Sequence, residues 1–133
     1  RRVRSGDGSV CLLGAGKMLA AAQAAADELA SEGIDATVWD PRCIRPLDEE
    51  MLEDAAHHRL VVTIEDGFRE GGFGSGVLDT LASRSPATRA AGLEVSVLGV
   101  PVAHHAHGSA DALLASFGLD GPGVAATVRS RLG

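Results

Sequence analysis

Residues 61–76 read Val61-Val62-Thr63-Ile64-Glu65-Asp66-Gly67-Phe68-Arg69-Glu70-Gly71-Gly72-Phe73-Gly74-Ser75-Gly76. The apolar residues at its start predict a buried strand that stops at two carboxylates, and the glycines after them predict a loop. Val77 and Leu78 then open a helix. A loop between a strand and a helix lies at the carboxyl end of the strand. In open α/β sheets, that edge is where ligands or partner domains bind.

The glycine-rich loop is the main candidate for a functional surface. Four glycines fall within residues 71–76, which predicts a backbone that adopts positive φ values or is closely approached by other atoms. The loop and the strand end before it supply the candidate interface residues Glu65, Asp66, Gly71, Gly72, Gly74 and Ser75.

Glu65 and Asp66 are adjacent carboxylates, which raises the question of a metal site or an acid–base pair. Adjacent residues of a strand point in different directions, so both carboxylates cannot face one small site. No His or Cys nucleophile lies near them in the sequence. We therefore predict that Glu65 is buried and binds amides of the glycine-rich loop, and we assign no catalytic residue.

Strand-like and helix-like segments alternate along the rest of the chain. Short apolar runs predict strands at 10–13, 34–39, 60–64 and 95–99. Helical periodicity and capping residues predict helices at 17–32, from Asp48 to 57 or 58, from 74 or 76 to 83, at 110–117, and from about Pro122 to 132. This order predicts a three-layer α/β/α sandwich around a mostly parallel sheet of four to five strands. Residues 1–9 are predicted to be a linker, and residues 10–133 one domain.

Composition narrows the class of protein. The chain has 133 residues, 45% of them hydrophobic, a net charge of −6 and a pI near 5.2. These values argue against a surface for nucleic acids or anionic membranes. No apolar run is long enough to cross a bilayer and no signal-peptide pattern opens the chain, so we expect a soluble, cytoplasmic protein. Cys11 and Cys43 are then expected to be reduced, buried thiols.

Two glycine motifs near the start suggest cofactors. Gly14-Ala15-Gly16 follows the first strand, but the third small residue of the dinucleotide fingerprint is replaced by Leu19. The motif is predicted to be a tight turn, although Asp40 lies where the acid that binds ribose would stand.

Gly6-Asp7-Gly8 is similar to the opening of the thiamine-diphosphate motif, which continues with an asparagine. The chain contains no asparagine, so we interpret this motif as part of the linker.

The histidine tract His104-His105-Ala106-His107 lacks a carboxylate or cysteine at ligand spacing. We predict that His107 belongs to the lead-in of a helix capped by Ser109, and we predict no metal site here or at His57-His58.

Arg42 and Arg45 flank an apolar pair in the segment 42–48. Alternating charged and apolar residues indicate an extended segment with one packed face and one charged face. Such a segment suits a salt bridge to a neighbouring domain or an anion site, and the sequence leaves both open.

Several of these segments are similar to the transketolase C-terminal domain. The resemblance rests on Arg42-Cys43-Ile44-Arg45-Pro46-Leu47-Asp48 and on the stretch from Thr63 to Ser75. Three further segments narrow the resemblance to the C-terminal end of the 1-deoxy-D-xylulose-5-phosphate synthases. They are Gly99-Val100-Pro101, His107-Gly108-Ser109 and residues 113–124. The resemblance covers residues from about Ser9 to Leu132.

This resemblance implies the third domain of a homodimeric enzyme that uses thiamine diphosphate and Mg²⁺. Such an enzyme joins pyruvate to glyceraldehyde 3-phosphate with loss of carbon dioxide, in isoprenoid-precursor and thiamine biosynthesis. It implies no cofactor in this chain, because the cofactor and the acid–base residues belong to the two earlier domains. The chain alone is then expected to be inactive, to support the preceding domains, and to contact them through its glycine-rich loop.

Other functions stay open from the sequence. Residues 102–106 depart from the synthase pattern, which leaves room for the same domain of another transketolase-like enzyme or of a 2-oxo-acid dehydrogenase subunit. A stand-alone flavodoxin-like binding module is a third alternative, supported by the turn at Gly14–Gly16.

Overall fold

A five-stranded sheet is the middle layer of the chain. The computed structural model describes residues 1–42, 46–68, 72–100 and 115–133, with the backbone alone for residues 67 and 68. The strands are β1 (Arg2–Arg4), β2 (Val10–Gly14), β3 (Thr37–Trp39), β4 (Leu60–Phe68) and β5 (Glu94–Val100). Their order across the sheet is β1-β3-β2-β4-β5. Strand β1 runs antiparallel to β3, and the other pairs are parallel.

Helices cover both faces of this sheet. They are α1 (Met18–Ala30), α2 (Glu49–Ala56), α3 (Phe73–Ala82) and α4 (Gly121–Leu132), with a short 3₁₀ helix at Pro86–Thr88. Strand β2 contributes side chains to the hydrophobic cores on both faces of the sheet. Val10 and Leu12 pack with α1 and α4 on one face. Cys11 and Leu13 pack with α2 and α3 on the other. The predicted α/β/α sandwich with a mostly parallel sheet is therefore confirmed.

The sequence signals of the helices are confirmed in detail. The predicted apolar face of α1 is buried throughout, and it consists of Met18, Ala22, Ala25, Ala26 and Leu29. Gly33 follows this helix with φ +83°, as expected for the glycine that ends a helix. Asp48 caps α2 by accepting from the amides of Glu50 and Met51. Pro122 lies in the first turn of α4.

Three sequence predictions need correction. Residues 1–9 were expected to be a linker, but Arg2–Arg4 form the edge strand β1, which apolar patterning does not reveal. The second strand was expected over 34–39 and is shorter, at Thr37–Trp39. The strand expected to stop before Glu65 continues to Phe68, because a register shift between Ile64 and Phe68 lets β4 go on pairing with β5. The helix predicted over 110–117 lies mostly outside the described residues.

Arg129 joins the last helix to the first. Its guanidinium donates to Glu32 at 2.7 and 2.8 Å and to Glu28, so α4 and α1 are linked by an ion pair network on the surface. The hydrogen bond from Arg129 lowers the pKa of the Glu32 carboxyl below its ordinary value of 4.5. The two glutamates in turn raise the pKa of Arg129.

Replacing Arg129 with methionine is expected to flatten the acid side of the stability profile. A carboxyl whose pKa is lowered by folding adds stability above its unfolded pKa, and that stability is lost as the pH falls through the folded pKa. The urea midpoints of the wild type and of R129M should therefore differ most above the ordinary glutamate pKa of 4.5 and converge as the pH falls from there through the lowered pKa of Glu32 in the folded chain. The control is R59M, because the exposed Arg59 side chain has no ion pair with any residue in the described ranges. A wild-type-like acid profile for R129M would show that the network does not couple folding to protonation.

Within the described residues, no helix combines the length and the apolar character that crossing a membrane requires.

Candidate interface at the carboxyl edge of the sheet

The Glu65 carboxylate caps helix α3. The residue lies in β4 with only 6% of its surface exposed. Its Oε1 accepts from the Phe73 amide at 3.2 Å, and its Oε2 accepts from the Gly74 amide at 2.6 Å. The helix begins after Gly72, which has no side chain to cap it, so Glu65 satisfies N–H groups that the helix leaves free. Its negative charge at a helix N-terminus is also favoured by the helix dipole. The predicted structural role of Glu65 is thus visible in its contacts.

Gly74 allows helix α3 to lie close to the sheet. A Cβ atom at this position would lie 2.4 Å from Thr63 Oγ1 and 2.5 Å from Val97 Cγ1. Those distances are shorter than real Cβ contacts, so only glycine fits without displacing these two side chains or the helix. At Gly76 an added Cβ would meet only Leu47 Cδ1, at an ordinary 3.6 Å. The sequence predicted positive φ or close approach for this loop, and at Gly74 the reason is close approach.

Thr63 lies directly beneath this contact. Its side chain is fully buried, and its Oγ1 has no hydrogen-bond partner among the residues that the structure describes. A buried hydroxyl without a partner loses its hydrogen bonds to water and gains none in return. Thr63 is therefore a place where the packing of α3 on the sheet costs stability.

Replacing Thr63 with valine is expected to raise the free energy of unfolding by about 1 kcal/mol, because the methyl group needs no hydrogen bond. The control is the second buried strand threonine, Thr37, whose Oγ1 accepts from the Gly6 amide at 2.9 Å. T37V should lower the free energy of unfolding by about 1–2 kcal/mol. Urea unfolding of the two variants measures both values. A T63V variant that is less stable than the wild type would contradict the interpretation of Thr63.

Asp66 faces solvent on the other side of β4 from Glu65, as the alternation of a strand requires. Its Oδ2 lies 3.8 Å from Lys17 Nζ, and both side chains are about half exposed. Such an exposed pair adds little stability. The turn after β2 is nevertheless tied to β4 here, because the Ala15 amide donates to the Ile64 carbonyl oxygen at 2.9 Å. The two loops thus meet at one edge of the sheet.

The Gly14–Gly16 segment is a tight turn, as predicted. Gly16 has φ +58°. At Gly14 an added Cβ would lie 2.8 Å from the Met18 carbonyl oxygen, so this glycine lets α1 pack on β2. Asp40, the candidate acid for ribose binding, instead accepts from the Arg42 amide at 3.2 Å. These contacts favour a structural turn over a dinucleotide site.

Arg42 follows β3 at the same carboxyl edge. Its backbone is left-handed, with φ +57°, which is uncommon for a residue other than glycine. Its Nε lies 3.7 Å from Asp40 Oδ2, and its side chain is 60% exposed. Arg42 is thus held by its own loop with its charge open to solvent. Arg45, Gly71 and His107 lie outside the described residues, as do the tract His104–His107 and Cys43.

Ser75 and Gly72 complete the described part of the predicted interface. Gly72 is the residue before α3, and Ser75 lies in its first turn, partly exposed. The structure therefore brings Glu65, Gly72, Gly74 and Ser75 together at the start of α3 and directs Asp66 elsewhere. Both oxygens of Glu65 are engaged by backbone amides, so neither can take part in proton transfer without giving up one of these two bonds. The arrangement is suited to holding a loop in place.

Gly6-Asp7-Gly8 does not fit a thiamine diphosphate or Mg²⁺ site. Asp7 Oδ1 accepts from the Ser9 amide at 3.0 Å and from its hydroxyl at 2.6 Å, in an exposed turn. The hydrogen bond from the Ser9 hydroxyl lowers the pKa of Asp7. An added Cβ at Gly6 would lie 2.1 Å from the Asp35 carbonyl oxygen, so this glycine serves the packing of the segment beside β3.

One cluster of polar side chains was not foreseen. Cys11, Asp54 and His58 place a thiol, a carboxylate and an imidazole within 4.8 Å of one another. Cys11 was correctly expected to be buried, and its thiol is free. The signal in the sequence was the spacing of four residues between Asp54 and His58, because residues at this spacing share one side of a helix and the helix was predicted to reach 57 or 58. Its meeting with Cys11 depends on how α2 packs on the sheet.

Comparisons with known proteins give a consistent result. The family model described as "Transketolase, C-terminal domain" matches residues 1–124. The 1-deoxy-D-xylulose-5-phosphate synthase of Anaeromyxobacter sp. (strain K) is 42% identical over 129 residues, which covers 96% of this chain and 20% of that protein. The synthase of Bordetella parapertussis is 43% identical over 125 residues, covering 93% of this chain and 18% of that protein. The chain thus spans about a fifth of the length of these relatives.

Among solved structures, the chain is similar to one described as "Split gene transketolase, inactive beta4 tetramer". The two share 33% sequence identity and superpose with a TM-score of 0.84. The match covers 98% of this chain and 41% of that chain.

Proposed function

The chain belongs to the transketolase C-terminal domain family, and we propose that it is the C-terminal domain of a 1-deoxy-D-xylulose-5-phosphate synthase. The observation that carries this proposal is the near-complete coverage of the chain by synthases of 42% and 43% identity. A whole enzyme of this kind makes an isoprenoid and thiamine precursor from pyruvate and glyceraldehyde 3-phosphate in the cytoplasm. Because the chain spans about a fifth of those relatives, the activity belongs to the whole protein.

Within that enzyme, we assign the chain an interface role. The Glu65 carboxylate and the close packing at Gly74 fix the start of α3 against the carboxyl edge of the sheet. This edge also carries the exposed charges of Asp66, Lys17 and Arg42. Fixed loops with exposed charges suit contact with the preceding domains and with a second copy in a homodimer. The similar split-gene transketolase is described as an inactive tetramer, which supports the inference that this piece has no activity alone.

Thiamine diphosphate and Mg²⁺ belong, in this proposal, to the other domains of the enzyme. The bound cofactor supplies carbanion stabilisation in such enzymes, and the protein positions it. Since the Gly6-Asp7-Gly8 turn does not fit the cofactor, we assign no step of the reaction to this chain.

The test is an assay of the native-length protein that contains this chain. Purified with thiamine diphosphate and Mg²⁺, it should release carbon dioxide from pyruvate in the presence of glyceraldehyde 3-phosphate and form 1-deoxy-D-xylulose 5-phosphate. The 133-residue chain alone should show no such activity. Gly74→Val in the native-length protein should reduce turnover or stability, and unchanged values of both would remove the interface role.

A subunit of a split transketolase-like enzyme is the second candidate, and the similarity to the split-gene structure favours it. Immunoblotting of a cell extract for this domain separates the two. A band several times larger than 13.6 kDa supports the single-chain synthase, whereas a band at 13.6 kDa supports a separate subunit. Ketol transfer between sugar phosphates without use of pyruvate would likewise identify a transketolase.

A further inference from the structure

The Cys11–Asp54–His58 cluster lies between α2 and the sheet. Cys11 is in β2 and fully buried, Asp54 is in the last turn of α2, and His58 follows that helix with 3% of its surface exposed. Their metal-binding atoms lie within 4.8 Å of one another. A thiol, an imidazole and a carboxylate are the three side-chain types that bind Zn²⁺ in proteins.

Hydrogen bonds leave one ring nitrogen of His58 able to act as a ligand. Its Nδ1 lies 2.8 Å from the Asp54 carbonyl oxygen, which can only accept, so the neutral ring has its proton on Nδ1 and its lone pair on Nε2. Nε2 lies 3.2 Å from Thr37 Oγ1. A metal-binding histidine commonly donates its other nitrogen to a backbone carbonyl in this way, because the bond fixes the ring orientation.

The Asp54 carboxylate is also held from outside the cluster. Its Oδ2 accepts from Trp39 Nε1 at 2.7 Å and lies 3.6 Å from Arg2 Nη1. The side chain of Asp54 is 26% exposed, and it lines an open cavity of about 440 Å³ together with Trp39 and Arg2. Through this cavity an ion from solvent reaches the Asp54 carboxylate first, because neither Cys11 nor His58 is among the described residues that line it. A water molecule from the cavity can supply a fourth ligand.

We propose that Cys11, Asp54 and His58 form a binding site for a divalent transition-metal ion, with Zn²⁺ the best match. Tetrahedral Zn²⁺ ligands lie about 3.5 Å apart, so the three side chains must close by about 1 Å around the ion. The Cys11 thiol loses its proton to solvent as the sulfur–metal bond forms. The hydroxyl of Thr37, which lies opposite Cys11 in the β2–β3 pairing, is released from His58 Nε2 at the same time.

Two electrostatic effects around the cluster oppose the binding of a metal ion. Burial, together with the nearby Asp54 carboxylate, raises the pKa of the Cys11 thiol well above its ordinary value. A bound cation stabilises the thiolate, whereas Arg2 beside Asp54 opposes the approach of a second positive charge. Affinity therefore depends on the directional sulfur and nitrogen ligands, which distinguishes Zn²⁺ from Mg²⁺.

Co²⁺ alone is the probe, because it replaces Zn²⁺ and absorbs light when bound to a thiolate. The 133-residue chain carries Cys43→Ser in all samples, so that Cys11 is its single thiol. We expect one Co²⁺ per chain, a thiolate-to-cobalt charge-transfer band in the near ultraviolet, and competition by Zn²⁺ but not by Mg²⁺. The midpoint of thermal unfolding should rise with Zn²⁺ concentration.

Variants then identify the ligands. C11A should abolish the charge-transfer band, and H58Q and D54N should weaken binding at least about tenfold. The matched control is H57Q, because His57 is exposed and bonds the Glu53 carbonyl oxygen outside the cluster. Circular dichroism checks that each variant folds, and the titration of the parent chain with Cys43→Ser decides the matter even where a variant does not fold.

The proposal is overturned if the parent chain with Cys43→Ser shows no thiolate band, because the cluster is then a hydrogen-bonded part of the core. It is also overturned if C11A binds Co²⁺ as tightly as the parent chain, or if H57Q weakens binding as much as H58Q does.

Discussion

Replacing Gly74 with alanine is expected to lower the free energy of unfolding by about 3 kcal/mol. The added Cβ would lie 2.4 Å from Thr63 Oγ1 and 2.5 Å from Val97 Cγ1, on two residues that lie opposite each other in the β4–β5 pairing and whose branched side chains have few alternative rotamers. Helix α3 must then move away from the sheet, which also lengthens the 2.6 Å bond between the Gly74 amide and Glu65. Urea unfolding of the chain, followed by circular dichroism, measures the loss.

Gly76→Ala is the matched control for this prediction, two residues along the same helix. An added Cβ there meets only Leu47 Cδ1 at 3.6 Å, and alanine favours the helix over glycine. G76A should therefore raise the free energy of unfolding by up to about 1 kcal/mol. The two substitutions are thus expected to change stability in opposite directions. If G74A and G76A changed it alike, close packing at Gly74 would not be what requires glycine.

Replacing Glu65 with alanine is expected to lower the free energy of unfolding by about 3–4 kcal/mol. The substitution leaves the Phe73 and Gly74 amides buried without an acceptor, and each such group costs about 1–3 kcal/mol. Glu65→Gln keeps the shape and one acceptor oxygen, so its loss should be smaller, about 2 kcal/mol. Hydrogen exchange at the Phe73 and Gly74 amides should accelerate in both variants, which locates the effect at the start of α3.

The adjacent acid provides the control. Asp66 is half exposed, and its pair with Lys17 at 3.8 Å is weak, so D66N should change the free energy of unfolding by less than about 0.5 kcal/mol. A D66N variant as unstable as E65A would mean that the two carboxylates act together. That result would contradict the separation of their roles by the alternation of the strand.

The sequence predicted best those elements whose stability comes from one apolar face. The spacing of Met18, Ala22 and Leu29 identified the buried side of α1, because a helix repeats every 3.6 residues whatever it packs against. The buried strand β2 was likewise visible as a short apolar run. The structural role of Glu65 followed from the simple fact that neighbouring strand residues point in different directions.

Other features depend on contacts between distant parts of the chain. Arg2–Arg4 form a strand because β3 offers an edge to pair with, and no local pattern of three mostly charged residues reveals that. The continuation of β4 past Glu65 depends on a shift in register against β5. The approach of Cys11 to Asp54 and His58 depends on the packing of α2, which the sequence does not specify locally.

Helix α4 packs on α1, although α1 lies near the start of the chain and α4 at its end. Gly121 lies beside Ala24, and Arg129 is bound to Glu28 and Glu32. During synthesis, the apolar face of α1 emerges from the ribosome about 5–20 s before the helix that covers it, at ordinary rates of translation. The nascent chain therefore exposes an alanine-rich face throughout this interval. Chaperones that recognise apolar segments should bind the nascent chain in this interval and release it once Val124 and Val128 are in place.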